Sequence, residues 1–102
     1  MEITEQREDA TLVLTLDGRL DTLTSPSLES IVANADALAG VEALVLDIAA
    51  VEYVSSAGLR VVLQAHKAME ARKGAFVVRH PNEYVAEVFQ VTGFADVLTI
   101  EA

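Results

Sequence analysis

Two adjacent serines, Ser55 and Ser56, are the residues whose type and position most directly suggest chemistry. They follow an apolar, β-branched run, residues 44–48, that has the length of a buried strand, and a helical pattern begins at them. A hydroxyl at such a turn lies among unpaired backbone N–H groups, at the positive end of a helix dipole. There a serine oxygen can cap the helix, and an added phosphate would be tolerated electrostatically.

The first possibility is that one of these serines is the catalytic nucleophile of a hydrolase. The nucleophile elbow of hydrolases needs a glycine two residues before and two residues after the serine, whereas Ser56 has Val54 before it and Gly58 after it. The available bases are His66, in the middle of the following helical pattern, and His80, directly before a proline. Both positions are typical of structural histidines. We therefore do not expect a serine hydrolase.

Two acids, Asp21 and Asp47, fall near predicted strand ends, on the side where parallel sheets place ligand sites. Together they could bind Mg²⁺ or act as acid and base. The alternative is that one closes a turn and the other is a solvated residue at a strand end. Neither glycine-rich phosphate-binding pattern, GxxxxGK[ST] or GxGxxG, is present. We expect no enzyme, no cofactor and no metal site.

The elements that must position the serines follow from hydrophobic period, caps and breakers. Asp17 to Asp21 breaks the second strand pattern, Ser25 is the expected N-cap before Pro26, and Gly40 ends that helix. The order is ββαβαβαβ, which predicts an α/β fold with a mixed, mostly parallel sheet backed by helices. The predicted strands are 2–8, 11–16, 43–48, 75–78 and 95–100, and the predicted helices are 26–39, 56–72 and one that opens at Pro81 and closes at Gly93.

The amino-acid composition limits the classes of protein to which the chain can belong. The chain has 102 residues, 52% hydrophobic and 23% charged, so we expect one globular domain over residues 1–102. Cysteine is absent, which excludes disulfides and thiolate sites. The charged N-terminus has no signal-peptide pattern, and no uncharged run reaches the roughly 20 apolar residues that span a bilayer. We expect a cytoplasmic protein with no membrane contact.

The charge balance bears on partners. Sixteen acidic and seven basic residues give a net charge of −9, which repels nucleic acid and anionic membrane surfaces. Four of the seven basic residues follow the double serine within one predicted helix: Arg60, Lys67, Arg72 and Lys73. They are either an ordinary solvated helix face or a basic patch that faces a protein partner.

Three stretches resemble the STAS domain, the family of bacterial anti-sigma factor antagonists. The main one runs from Val45 to Arg60 and contains VLDI and VEYVSSAGLR; the others are GRLD at 18–21 and VFQVTGF at 88–94. The likeness covers essentially the whole chain. It implies a sheet backed by helices and a partner-switching role.

In that role, the unphosphorylated protein binds a serine-kinase anti-sigma factor and frees the sigma factor. Phosphorylation at the start of the second helix releases the kinase, and a PP2C-type phosphatase reverses it. The alternative is a non-phosphorylated STAS subunit of a lipid-transport ATPase or of a signalling scaffold. We expect the chain to be a monomer.

One departure from the family pattern affects the phosphoacceptor. Many members have the acceptor directly before the glycine, where this chain has Ala57, so the ungapped alignment finds none. Ser56, one residue earlier, is the first choice for phosphorylation and Ser55 the second; neither is the third possibility. The expected partner-binding residues are Asp21, Ser55, Ser56, Ala57, Gly58 and Arg60.

Overall fold

Backbone pairing builds one five-stranded sheet in the computed structural model, which describes residues 1–102. The strands lie in the order β1-β2-β3-β4-β5; β1 and β2 are antiparallel, and every other neighbouring pair is parallel. The predicted α/β class, the order ββαβαβαβ and the mostly parallel sheet are confirmed. The elements are β1 (Glu2–Glu8), β2 (Thr11–Leu20), α1 (Ser25–Val32), β3 (Ala43–Val54), α2 (Ser56–Ala71), β4 (Ala75–Arg79), α3 (Glu83–Val91), a 3₁₀ turn (Phe94–Asp96) and β5 (Thr99–Glu101).

One face of the sheet carries the hydrophobic core. Alternation along β2 sends its buried leucines to this face, where β3 and β4 add Leu46 and Val78. All three helices contribute residues to the same cluster of 23 buried side chains, so they pack on this face. On the opposite face, Val13, Val45 and Val77 pair across the strands, and Val45 is buried without belonging to the core.

The third strand is longer than predicted. It continues past Ile48 to Val54, and its partner β2 continues through the segment 17–20 that was expected to break the strand. Two register shifts, opposite Thr15 to Asp17 and opposite Gly18 to Arg19, explain why the alternation of β3 was not visible in the sequence. Each leaves an extra residue on β3, so the apolar period of two is interrupted while the pairing goes on.

Helix α1 is shorter than the predicted 26–39. It ends at Val32, and the side chain of Asn34 accepts a hydrogen bond from the N–H of Asp36 at 2.9 Å. Asn and Asp compete with helical backbone bonding in this way, so the chain turns although Leu38 still reaches the core. Ser25 is not the N-cap but the first helical residue; the cap position belongs to Thr24, which makes no side-chain capping bond.

The C-terminal third also differs in detail. Helix α3 begins at Glu83, capped by Asn82, so Pro81 precedes the cap and does not open the helix. The last strand is only three residues long, because residues 94–96 form a 3₁₀ turn where a strand from 95 was expected. Helix α2 matches its predicted range closely. None of the helices combines the length and apolarity needed to cross a bilayer.

Asn82 joins α3 to the end of β3, which gives a first prediction. Its Oδ1 accepts from the N–H of Val85 (2.8 Å), and its Nδ2 donates to the carbonyl of Val51 (3.1 Å). Asn82→Ala should lower the free energy of unfolding by about 1–2 kcal/mol, and Asn82→Ser, which keeps a capping oxygen but loses the donor to Val51, by about half as much. Urea unfolding measures both. Gln90→Ala, an exposed change in α3, is the control, and a loss no larger than the control's would contradict this role.

Candidate functional site

The double serine lies at a one-residue turn between β3 and α2. Ser55 is the N-cap, with extended backbone (φ −88°, ψ 175°), and its Oγ accepts from the N–H of Gly58 at 3.2 Å. The N–H of Ser55 donates to the carbonyl of Leu20 at 2.9 Å, which fixes the turn to the end of β2. The predicted strand-to-helix turn is therefore confirmed, and Ser55 is its capping residue.

Ser56 and Ala57 form the exposed start of α2. Ser56 is solvent-exposed and its hydroxyl makes no hydrogen bond, whereas Ala57 is half-buried. The first N–H groups of a helix have no intrahelical acceptor, and only that of Gly58 is satisfied by the cap. The N–H groups of Ser56 and Ala57 thus remain free, at the positive end of the α2 dipole.

Gly58 allows α2 to approach β2 closely. A Cβ at this position would lie 2.6 Å from the carbonyl oxygen of Leu20 and 2.8 Å from its Cγ. The backbone conformation of Gly58 is ordinary helix, so the need for glycine here is steric. The sequence identified Gly58 as a motif residue, and its contact with Leu20 supplies the physical reason.

Asp21 organises the loop between β2 and α1. Its Oδ1 accepts from the N–H groups of Leu23 (3.0 Å) and Thr24 (3.1 Å), and its Oδ2 lies 3.7 Å from Nε of Arg19. Thr24 completes the loop by donating its hydroxyl to the carbonyl of Arg19 at 2.6 Å. The carboxylate is thus committed to its own loop and makes no hydrogen bond to either serine. Its neighbour Leu20 connects that loop to the serine turn.

These contacts set the acidity of Asp21. Desolvation is the largest single effect and raises the pKa, but the N–H donors of Thr24 and Leu23, the Thr24 hydroxyl and Arg19 act together in the opposite direction. The net result is a pKa below the ordinary value of 3.8. Asp21 is therefore ionised at neutral pH and stabilises its loop in that form.

Arg60 lies one turn after Ser56 and is exposed, with no ion pair and no hydrogen bond. It borders a cavity of about 200 Å³ between the first turns of α1 and α2, which we call the interhelix cavity. Ser25, one of its lining residues, is buried, and its Oγ has no hydrogen-bond partner. The cavity is lined by Thr22, Ser25, Pro26, Glu29, Ala57, Arg60, Val61 and Gln64.

The sequence did not reveal an aromatic stack at the C-terminal ends of β2 and β3, where the serine turn also lies. The guanidinium of Arg19 lies 4.4 Å from the ring centroid of Tyr53, and Tyr53 stacks on Tyr84 with centroids 6.2 Å apart. Stacking and cation–π contacts hold the ends of β2, β3 and α3 together. Tyr84 is 31 residues beyond Tyr53, so no local spacing could have indicated this contact.

The remaining candidates do not join the serines. Asp47 is not at a strand end: it lies within β3, opposite Thr15, while Leu20 pairs with Val54. Asp47 lies opposite Thr15, which is six residues before Asp21 along β2. Six residues of strand span roughly 20 Å, so the two acids cannot form a single metal-binding or catalytic site. Asp47 instead accepts from the N–H of Ala49, at the first bulge, at 3.1 Å.

The histidines are likewise distant from the serine turn. His66 is ten residues into α2, roughly 15 Å along the helix axis from Ser56, packed against Phe76 and 3.7 Å from Glu70. His80 lies 3.5 Å from Asp47 at the end of β4. No group of three or more metal-binding side chains is close enough to hold an ion.

Comparison with known proteins identifies the family. A sequence model described as the STAS domain matches residues 2–102. BtrV of Bordetella bronchiseptica, provisionally named an anti-sigma factor antagonist, is 33% identical over 100 residues, which are 98% of this chain and 85% of that protein. The chain belongs to the STAS domain family. The resemblance stated from the motifs is therefore confirmed.

Solved structures share the fold of this STAS domain. A Thermotoga maritima protein, provisionally described as an anti-sigma factor antagonist, superposes with a TM-score of 0.89 at 22% identity, covering 98% of this chain and 86% of that one. The phosphorylated form of SpoIIAA, a Bacillus cell fate determinant, gives 0.78 at 20% identity, covering 99% and 91%. At these identities the likeness concerns the fold alone.

The close approach at Gly58 gives a second prediction. Gly58→Ala places a methyl group against backbone that cannot easily move, and the gain in helix preference offsets only part of the strain. We expect a net loss of about 1–2 kcal/mol in the free energy of unfolding of the STAS domain, measured with urea. Lys67→Ala, on the exposed side of α2, is the control. An unchanged urea midpoint for Gly58→Ala would show that the contact between Gly58 and Leu20 is not tight.

The carboxylate of Asp21 gives a third prediction. Because its pKa is lower in the folded than in the unfolded chain, its stabilisation is present above the unfolded pKa and is lost as the pH falls through the folded pKa. NMR titration of the carboxyl carbons should give a pKa below 3.8 for Asp21. Asp21→Asn should show a smaller loss of melting temperature on acidification than wild type, with Asp36→Asn as the control for one lost charge. A titration midpoint above 3.8 for Asp21 would contradict the hydrogen bonds assigned to its carboxylate.

Proposed function

We propose that this STAS domain is an anti-sigma factor antagonist controlled by phosphorylation of Ser56. Unphosphorylated, it binds a serine-kinase anti-sigma factor and frees the sigma factor; phosphorylated, it releases the kinase, and a PP2C-type phosphatase restores it. The name of BtrV and the phosphorylated form of SpoIIAA support the antagonist role and the switch respectively. The observation that carries the proposal is an exposed, unbonded serine hydroxyl at the first turn of α2.

The two serines have different roles at the turn. The Oγ of Ser55 is engaged with the N–H of Gly58, so a phosphate on Ser55 would replace the N-cap. The hydroxyl of Ser56 caps nothing and is exposed, so a kinase can reach it without disturbing the helix start. These contacts favour Ser56 as the acceptor and leave Ser55 a structural role.

A phosphate on Ser56 is compatible with the fold and incompatible with a partner surface fitted to a neutral hydroxyl. It adds a charge of about −1.5 to −2 next to the free N–H groups of Ser56 and Ala57, where the helix dipole favours negative charge. Arg60, one turn away and unpaired, adds a positive charge at a distance typical of i, i+4 pairs. A bound kinase would have to desolvate the dianion, so release follows without unfolding.

The remaining expected partner contacts surround this turn. Arg60 and the half-buried Ala57 are accessible on the same turn of α2, whereas Gly58 is buried and supports the interface indirectly. Asp21 shapes the adjacent loop through its hydrogen bonds, so its contribution to kinase binding would come from loop conformation as well as from charge. Charge complementarity at Arg60 would mainly raise the association rate.

Phosphorylation by the cognate kinase tests the proposal. Incubated with that kinase and ATP, wild type and Ser55→Ala should each gain the mass of one phosphate, and Ser56→Ala none, because Ser56 is the serine of this turn whose hydroxyl is not engaged in the cap. Ser56→Ala should stay folded and bind the kinase with or without ATP, while Ser56→Asp should bind more weakly. Intact mass, peptide mapping and calorimetry give these readouts.

The controls separate the alternatives. Melting curves of both alanine variants are needed, because Ser55→Ala removes an N-cap worth about 1 kcal/mol whereas Ser56→Ala does not. Phosphate mapped to Ser55 would contradict the acceptor assignment. No phosphate on any variant, with kinase activity verified, would favour the constitutive subunit of a transporter or scaffold.

A further inference from the structure

Leu23 is the most exposed large apolar side chain of this STAS domain. It is 88% exposed, whereas Val91, Val97 and Tyr84, the other exposed large apolar residues, are 79%, 53% and 49% exposed. The side chain of Leu23 is therefore almost fully hydrated and adds little to the stability of the fold. Single apolar residues on a surface are common, so what distinguishes Leu23 is how and where the chain presents it.

The backbone at Leu23 is held in place by its own loop. The N–H of Leu23 donates to Oδ1 of Asp21 at 3.0 Å, and the N–H of Ser25 donates to the main-chain carbonyl of Asp21 at 2.8 Å. The N–H of Asp21 in turn donates to Oγ1 of Thr24 at 2.9 Å. A fixed backbone reduces the conformational entropy that is lost when a side chain is buried against a partner. Leu23 is thus exposed and at the same time preorganised for binding.

The loop of Leu23 borders the serine turn. The carbonyl of Leu20 accepts from the N–H of Ser55 at 2.9 Å, and three residues of chain, at most about 11 Å, separate Leu20 from Leu23. Thr22, next to Leu23, lines the interhelix cavity together with Ala57. The loop and the first turn of α2 therefore belong to one continuous surface.

One partner can cover both parts of this surface. A standard interface buries roughly 800 Å² on each partner, which corresponds to a disc about 16 Å in radius. The chain distance from Leu23 to Leu20 and the hydrogen bond from Leu20 to Ser55 together span less than the diameter of that disc. A protein that binds over Ser56 therefore reaches Leu23 as well.

We propose that Leu23 is the apolar anchor by which this STAS domain binds its anti-sigma factor, and that the partner offers an apolar pocket beside its contact with Ser56. This inference rests on the proposed antagonist function and names a residue that the function does not require. A few side chains buried in desolvated pockets supply most of the affinity of an interface. A second copy of the chain is the poorer occupant, because two chains that each carry a net charge of −9 repel one another.

Binding of the anti-sigma factor to Leu23 variants tests the anchor. The probe is the purified kinase of the phosphorylation test, without ATP so that Ser56 stays unmodified, and calorimetry gives the Kd. Leu23→Ala should raise the Kd about tenfold to thirtyfold, because the partner pocket loses most of an apolar side chain. Leu23→Met, which keeps an apolar side chain of similar volume, should stay within about threefold of wild type.

Two controls show that the loss belongs to an apolar contact at this position. Val91→Ala, which shortens another exposed apolar side chain at the last residue of α3, should leave the Kd unchanged. The ratio of the Kd values of Leu23→Ala and wild type should be the same at low and high sodium chloride, because the lost contact carries no charge. Leu23→Ala should also keep the melting temperature of wild type, since its backbone N–H can still donate to Asp21.

The outcomes separate the anchor from the antagonist function. Equal Kd values for Leu23→Ala and Val91→Ala, or an equal loss for Leu23→Met and Leu23→Ala, would overturn the anchor and leave the function standing. No binding of the kinase by wild type would overturn both. Sedimentation of the chain alone covers the remaining occupant: a wild-type dimer that Leu23→Ala converts to a monomer would assign Leu23 to self-association and overturn the proposal.

Discussion

The contact between the first turn of α2 and the last residue of β2 is the constraint on which the site depends. The carbonyl of Leu20 accepts from the N–H of Ser55, and the same oxygen leaves no room for a Cβ on Gly58. This contact fixes where α2 begins, which way its N-terminus faces and how far the serine turn lies from the loop of Asp21. A shift of the start of α2 relative to β2 would therefore alter the hydrogen bond between Ser55 and Leu20 and would move Ser56 at the same time.

Most of the architecture could be predicted from local signals, and the failures have physical causes. The periods of two and 3.6, the glycines and the double serine were enough for the element order and for the start of α2. The end of β3 was missed because the two bulges interrupt its alternation at Ala49 and Glu52. The end of β2 was missed because Asp17 and Gly18 are typical of a turn, although the period of two continues to Leu20. The end of α1 was missed because the side chain of Asn34 turns the chain while the apolar spacing continues to Leu38.

The site was predictable to the extent that it is continuous in sequence. Ser55 to Arg60 form one cap and one helical turn, so their neighbourhood follows from spacing. The interhelix cavity combines residues near 25 with residues near 60, and the stack of Tyr53 on Tyr84 spans the crossover from β3 through α2 to β4. Contacts of that kind depend on helix packing and strand register, which a single sequence does not specify to the nearest ångström. Asp47 was misplaced for the same reason, since its position along the sheet follows from the register of a bulged strand.

Under the proposed function, the use of two serines at one turn separates helix capping from phosphate acceptance. If one hydroxyl did both, phosphorylation would change the group that holds the start of α2, and the modified protein would differ from the unmodified one in helix geometry as well as in charge. Here the cap is formed by Ser55 and does not involve the hydroxyl of Ser56. Under the proposed function, the switch would therefore act through electrostatics and desolvation at the partner surface. The free N–H groups and Arg60 would limit the cost to the fold, because they lie where the added charge is favourable.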